Sequence, residues 1–184
     1  RLSRQKNMSS TLFAVHKAAC RSAKGIAMQK VNKPFDVVLT TNGGYPLDQN
    51  LYQAVKGMSA AAQVVKKGGI IICAAECSDG IPDHGDYSKI LASKNSPEEL
   101  LELINDSNYN RHDQWQVQIQ AQIQTHAEVL VKSDYLTQEQ VRAAHLTPIE
   151  NLQECIWESL NRHGQNARIC VLPEGPQTIP YLGQ

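Results

Sequence analysis

Tyr52, Gln53 and Lys56 put a phenol, an amide and an ammonium close together on one amphipathic stretch. Placed at about 100° per residue, they face away from a narrow stripe made by Leu51, Val55, Met58, Ala62 and Val65. The lysine can pair with a carboxylate, and the amide and phenol can orient that carboxylate or a neighbouring hydroxyl. On residue types alone, an ordinary solvated helix face would look the same.

Such a group needs a scaffold, and the flanking residues describe one. Phe35 to Thr41 is a β-branched and apolar run after Pro34, the pattern of a strand buried on both faces of a parallel sheet. Asn42-Gly43-Gly44 then supplies two residues free to take positive φ, Pro46 sets the next bend, and Asp48 is placed to cap a helix running to about Lys66. Lys66-Lys67-Gly68-Gly69 closes that helix, and Gly69 to Ala75 reads as a second buried strand. Strand, helix and strand in this order form a right-handed parallel unit, whose ligands sit at the carboxyl ends of the strands. There the free amides of a helix N-terminus favour an anion. The loop from Glu76 to Gly85 leaves the same sheet edge as Gly43-Gly44, so the two loops are neighbours.

Further along, Asp86 to Lys94 and Pro97 to Asn105 read as helices, the second capped by Ser96. Gln114 to Gln120 alternates like a strand, but the glutamine-rich run to Ala127 and the stripe Trp115, Ile119, Ile123, Leu130 favour a helix. Val129 to Lys132 gives a third strand, Thr137 caps a helix to His145, and Leu146-Thr147-Pro148 is an extended link. Pro148 and Glu150 begin a helix through Leu160 that buries Leu152, Ile156 and Trp157, and Ala167 to Leu172 is the last strand. The elements describe an α/β fold: a Rossmann-like three-layer domain with a mostly parallel sheet of about four to five strands flanked by helices.

With 184 residues, 41% of them hydrophobic, the chain can bury one ordinary core, and no apolar run is long enough to span a membrane. Its net charge is zero but unevenly spread. Arg1, Arg4, Lys6, Lys17, Arg21, Lys24, Lys30 and Lys33 precede the first acid, Asp36, so a lead-in of +8 is followed by a body of −8. One aromatic, Phe13, and no recognised motif argue against nucleic acid as the lead-in's partner. Phe13, His16, Ala19, Cys20 and Ala23 recur at helical spacing, so Leu12 to Met28 is expected to be a helix packed on the sheet. Arg1 is no initiator and no signal-peptide pattern follows it, the expectation for a fragment without its natural start. The odd, scattered set Cys20, Cys73, Cys77, Cys155 and Cys170 fits reduced thiols of a cytoplasmic protein. Cys73 and Cys77 with Glu76, Asp79 and His84 invite a metal, but zinc prefers tighter, repeated pairs, and none is expected.

The run from Thr40 to Gly80 resembles the C-terminal domain of the nickel-dependent lactate racemase family, whose wider group racemises or epimerises other 2-hydroxy acids. The likeness lies in the Gly43-Gly44-x-Pro46-x-Asp48 turn, the Tyr52-Gln53-x-x-Lys56 segment, Asp79-Gly80 and, later, Asp113-Gln114-Trp115-Gln116. It extends from about Phe13 to Ile179. The resemblance implies hydride transfer on a nickel pincer nucleotide held by a lysine, with histidine acid/base partners, all on an N-terminal domain. Nothing here corresponds to those groups. The implied role is therefore a C-terminal substrate-gripping domain, inactive alone, with no catalytic residue, cofactor or metal of its own. The resemblance has Lys56 pair the carboxylate, Gln53 and Tyr52 bond it or the hydroxyl, Trp115 exclude water, and Gly43, Gly44, Ser78, Asp79 and Gly80 line the cleft. Residues 1–33 become a basic helical lead-in returning from the N-terminal domain, and 34–184 the C-terminal α/β domain. The implied partners are that N-terminal domain and a small 2-hydroxy acid, with no nucleic acid and no membrane. The rival readings are a stand-alone nucleotide-binding module, which lacks the G-x-G-x-x-G fingerprint, and an interaction module docking through the basic lead-in.

Overall fold

The structure, a computed structural model, describes residues 11–183. In order, its elements are α1 (Leu12–Ala27), β1 (Met28–Val31), β2 (Phe35–Thr41), α2 (Leu51–Ala62), β3 (Val65–Ala74), α3 (Tyr87–Leu91), α4 (Pro97–Asn105) and α5 (Gln114–His126). They continue with β4 (Glu128–Lys132), α6 (Gln138–Ala143), β5 (Thr147–Pro148), α7 (Leu152–His163), β6 (Ile169–Leu172), a 3₁₀ turn (Gly175–Gln177) and β7 (Ile179–Leu182).

Five strands form one parallel sheet in the order β5-β4-β3-β2-β6. The expected three layers are present. On one face Val38, Ile71, Cys73, Val129 and Val131 join Leu51, Val55 and Met58 of α2 and Val117 and Ala121 of α5 in the larger core. On the other, Val37, Ile70, Ile72 and Leu130 pack with Cys155 of α7. Both faces of β2 and β3 are thus covered, which is why their sequences run apolar without alternating.

Several boundaries move for physical reasons. The cap of α2 is Asn50, whose side chain accepts the Gln53 amide, because the Asp48 carboxylate is already engaged by the Glu76 amide at 3.0 Å. The helix ends at Ala62, and β3 starts at Val65 because Val65 already pairs with Phe35. The register then shifts before Val37 meets Ile70. The first short helix after that loop is only Tyr87–Leu91, and the last sheet strand only Ile169–Leu172. α5 is a helix as read, but its buried face is Gln116, Val117, Gln120, Ala121 and Ile123, and not a stripe led by Trp115. Buried glutamine is tolerated because it is bonded: Gln120 accepts from the Tyr87 hydroxyl and donates to the Ala144 carbonyl at 2.8 Å. On α7 the buried residues are Cys155 and Ser159, while Trp157 is 62% exposed.

The lead-in is corrected too. α1 has nearly the expected bounds, but it is not packed on the sheet: none of its residues is buried and Phe13 is 85% exposed. It passes directly into β1, which pairs in parallel with β7 as a separate two-stranded ribbon that the sequence did not announce. Arg1, Arg4 and Lys6 of the basic lead-in lie outside the described residues.

Candidate functional site

The glycine turn after β2 takes the expected form, with φ of 82° at Gly43 and 85° at Gly44. What holds it is Asn42, fully buried. Its amide nitrogen donates to the Leu47 carbonyl at 2.8 Å and the Gln53 carbonyl at 2.6 Å, and its oxygen accepts the Gly57 amide at 2.9 Å. One side chain therefore fixes the turn against the first two turns of α2.

The loop after β3 is sewn to the same place. The Cys77 amide donates to the Asp48 carbonyl at 3.0 Å, Asp79 to Gln49 at 2.7 Å, and Leu51 to Gly80 at 3.0 Å. Gly43-Gly44 and Ser78-Asp79-Gly80 thus belong to two loops joined at one sheet edge. The same bonds revise the expected anion site at the helix tip. The Leu51 amide is taken by the Gly80 carbonyl and the Gln53 amide by Asn50, so two of the three amides in the first turn are already engaged.

Gln53 and Lys56 come together, the ammonium of Lys56 donating to the Gln53 side-chain oxygen. Among the described residues Lys56 makes no ion pair, and it is exposed. Tyr52 turns differently: its half-buried ring meets Tyr87 edge to face, with centroids 5.3 Å apart. Trp115 stands at the start of α5, 49% exposed, against the His112 ring at 5.6 Å. Its link to α2 runs through the next residue, since the Gln116 amide nitrogen donates to the Tyr52 carbonyl at 2.7 Å. Asp113, in the left-handed region at φ 67°, lies 3.0 Å from the His112 ring nitrogen and accepts from the Asp86 amide at 3.3 Å. Asn42, Gln116 and Asp113 are the contributors that residue-type reasoning passed over, although all three stood inside the quoted motifs.

The chain's own tail fills the place where a nucleotide would enter. β3 and β6 lie on opposite sides of β2, so the crevice of a doubly wound sheet falls between the ends of β2 and β6. There Asn42 bridges to Glu174 and the Thr41 hydroxyl donates to the Pro173 carbonyl. Gly175 sits so close that a Cβ on it would lie 2.9 Å from the Gly57 Cα. The cysteine loop offers no thiol at the surface: Cys73 and Cys77 are both fully buried in the larger core, where burial pushes the Cys73 thiol far up and the Cys77 thiol up to about 12. Among the described residues no three of His, Cys, Asp or Glu assemble as a metal site.

A five-stranded parallel sheet covered by helices, with two loops joined at one edge beside the Gln53–Lys56 pair, defines the class: a doubly wound α/β domain. Residues 30–179 match the lactate racemase C-terminal domain family, and the chain belongs to that family. It is 37% identical over 166 residues to the lactate racemase of Thermoanaerobacterium thermosaccharolyticum and 38% over 164 to that of Lactiplantibacillus plantarum. These matches cover 89% and 88% of the chain but 38% of each relative, so it spans about two fifths of their length. The lactate racemase apoprotein structure from the first organism superposes with a TM-score of 0.82 at 35% identity, over 90% of this chain and 40% of that one. A Thermotoga maritima protein at 12% identity and TM-score 0.60 shares the fold.

Proposed function

We propose that this chain is the substrate-gripping domain of a lactate racemase-like enzyme acting on a 2-hydroxy acid, completed by an N-terminal domain. The observation that carries the reading is Lys56: an exposed ammonium at the ligand edge of the sheet whose partner is the neutral Gln53. A substrate carboxylate exchanges that neutral acceptor for a charged one. Gln53 then bonds the carboxylate or hydroxyl, with Asn42 fixing its backbone. Tyr52, held by Tyr87, adds its phenol only if the ring swings out, so its share is the smaller. Trp115 covers the site and keeps water out. The nickel pincer nucleotide of such an enzyme would supply hydride transfer from the other domain; the described residues hold no group fitted to carry it. The free thiols Cys20, Cys73, Cys77, Cys155 and Cys170 suit a reducing, cytoplasmic setting. No helix among the described residues is long and apolar enough to cross a membrane.

The test is Lys56→Ala in the full-length, cofactor-loaded protein. A charged hydrogen bond in a closed site contributes about 1.5–3 kcal/mol, so kcat/KM for a small 2-hydroxy acid is expected to fall by about 10- to 150-fold. An unchanged kcat/KM refutes the grip.

A further inference from the structure

Along the outer side of α2 runs a groove of about 330 Å³ that shares only Lys56 with the acid grip. One wall is α5, through Gln116 and Ile119, and the other is the tail from Gly175 to Pro180. Ser59 and Ala60 lie between them. The floor is apolar and uses small side chains, so the space is not filled from within. Lys56 is one end of it, and among the described residues that line it Lys56 is the one charged side chain. Gln63 marks the other end, two helical turns away, or about 10 Å at 1.5 Å per residue.

A slot with one cation at its mouth and an apolar length behind it is complementary to a monoanion with an apolar chain. We infer that this groove is the subsite for the variable group of the substrate, and that the preferred acid is a 2-hydroxy acid with an unbranched apolar side chain of several carbons. This rests on the proposed grip of Lys56 on the carboxylate. With that carboxylate at the ammonium, the chain on C2 extends along the alkyl stem of Lys56 towards Ala60 and Ile119, leaving C2 itself at the open mouth. A dicarboxylic acid is disfavoured, because its second charge would enter a slot with no second cation. A methyl group leaves most of the groove empty.

The experiment uses the full-length protein and a series from lactate through 2-hydroxybutanoate to 2-hydroxyhexanoate and 2-hydroxyoctanoate. Dissociation constants come from calorimetry on the cofactor-free protein and kcat/KM from the loaded enzyme. Each methylene buried is expected to tighten binding about three- to fourfold until the groove is full. Ala60→Trp, which fills the slot, is expected to flatten that slope. Ser59→Phe at its rim repeats the test should the first variant lose its fold, which circular dichroism reports. A flat series in the unaltered protein overturns the inference. So does an Ala60→Trp or Ser59→Phe variant that weakens every acid equally, the result expected if a segment of the other domain fills the groove. Failure of the underlying grip reads differently: Lys56→Ala then leaves lactate binding intact whatever the slope.

Discussion

The two ends of the strand–helix–strand unit hold their charges in opposite ways. At the amino end of β2, Asp36 is 7% exposed and closed in by its own fold. Lys66 pairs with it at 2.5 Å, the Arg168 amide donates to its other oxygen at 2.9 Å, and the His163 ring stands 3.9 Å away. At the other end Lys56 is exposed and leans on a neutral amide. The first charge joins β2, β3 and the approach to β6; the second joins nothing. A charge whose counter-charges come from neighbouring strands is spent on the fold, whereas one left with a replaceable partner is free for a ligand.

The contrast is broken most directly by Asp36→Ala. Losing the carboxylate strands the Arg168 amide and removes the partner of exposed Lys66, and the expected loss is about 2–3 kcal/mol in urea unfolding. The pH dependence has a definite sign. The Lys66 hydrogen bond, then the Arg168 amide, hold the Asp36 carboxyl below the usual carboxylate range, with burial opposing them. A depressed folded value means the contribution is complete above the unfolded value near about pH 4 and is lost as pH falls through the folded one. The gap between parent and Asp36→Ala should therefore be full at neutral pH and narrow in acid. A gap that stays constant down to acid unfolding removes the ion pair as its cause.

Asn42→Ala tests whether the ligand end has a fold of its own to lose. The substitution removes three hydrogen bonds in a buried place, those to the Leu47 and Gln53 carbonyls and the one from the Gly57 amide. About 2 kcal/mol is expected, somewhat less than for Asp36. Unlike Asp36→Ala, it should also raise KM in the full-length protein, because the Gln53 backbone is no longer anchored. Equal stability losses with unchanged KM would make the two ends alike.

How much of this the residues announce depends on the range over which each signal acts. The Phe35 strand, the Gly43-Gly44 turn, the Ser96 and Thr137 caps and the helical choice for Gln114–His126 are local, and they stand in the structure. Asp48 looks like a cap because residue type cannot tell that the Glu76 amide arrives from the next loop. Trp115 and Trp157 look like core by hydropathy, yet the inner face of α7 is taken by Cys155 and Ser159 and that of α5 includes Gln116 and Gln120, whose polarity is cancelled by partners distant in sequence. The parallel pairing of β1 with β7 joins residues 28–31 to residues 179–182, and neither short strand carries a pattern able to name the other. At the site, the acid-holding types were visible together, but only the fold separates Tyr52, turned to Tyr87, from the Gln53–Lys56 pair.

The smallest effect sharpens the comparison furthest. Lys56→Met keeps the alkyl stem along the groove and removes only the ammonium, whose partner Gln53 can turn to water. An exposed polar contact of this kind contributes little, so unfolding should shift by no more than about 0.5 kcal/mol. Gln53→Ala should behave similarly, because its anchoring to Asn42 passes through the backbone carbonyl and survives the change. A loss as large as that of Asp36→Ala from either variant would mean that this pair, too, is committed to the fold. A near-zero change in stability beside a large fall in kcat/KM is the signature of groups kept for a substrate.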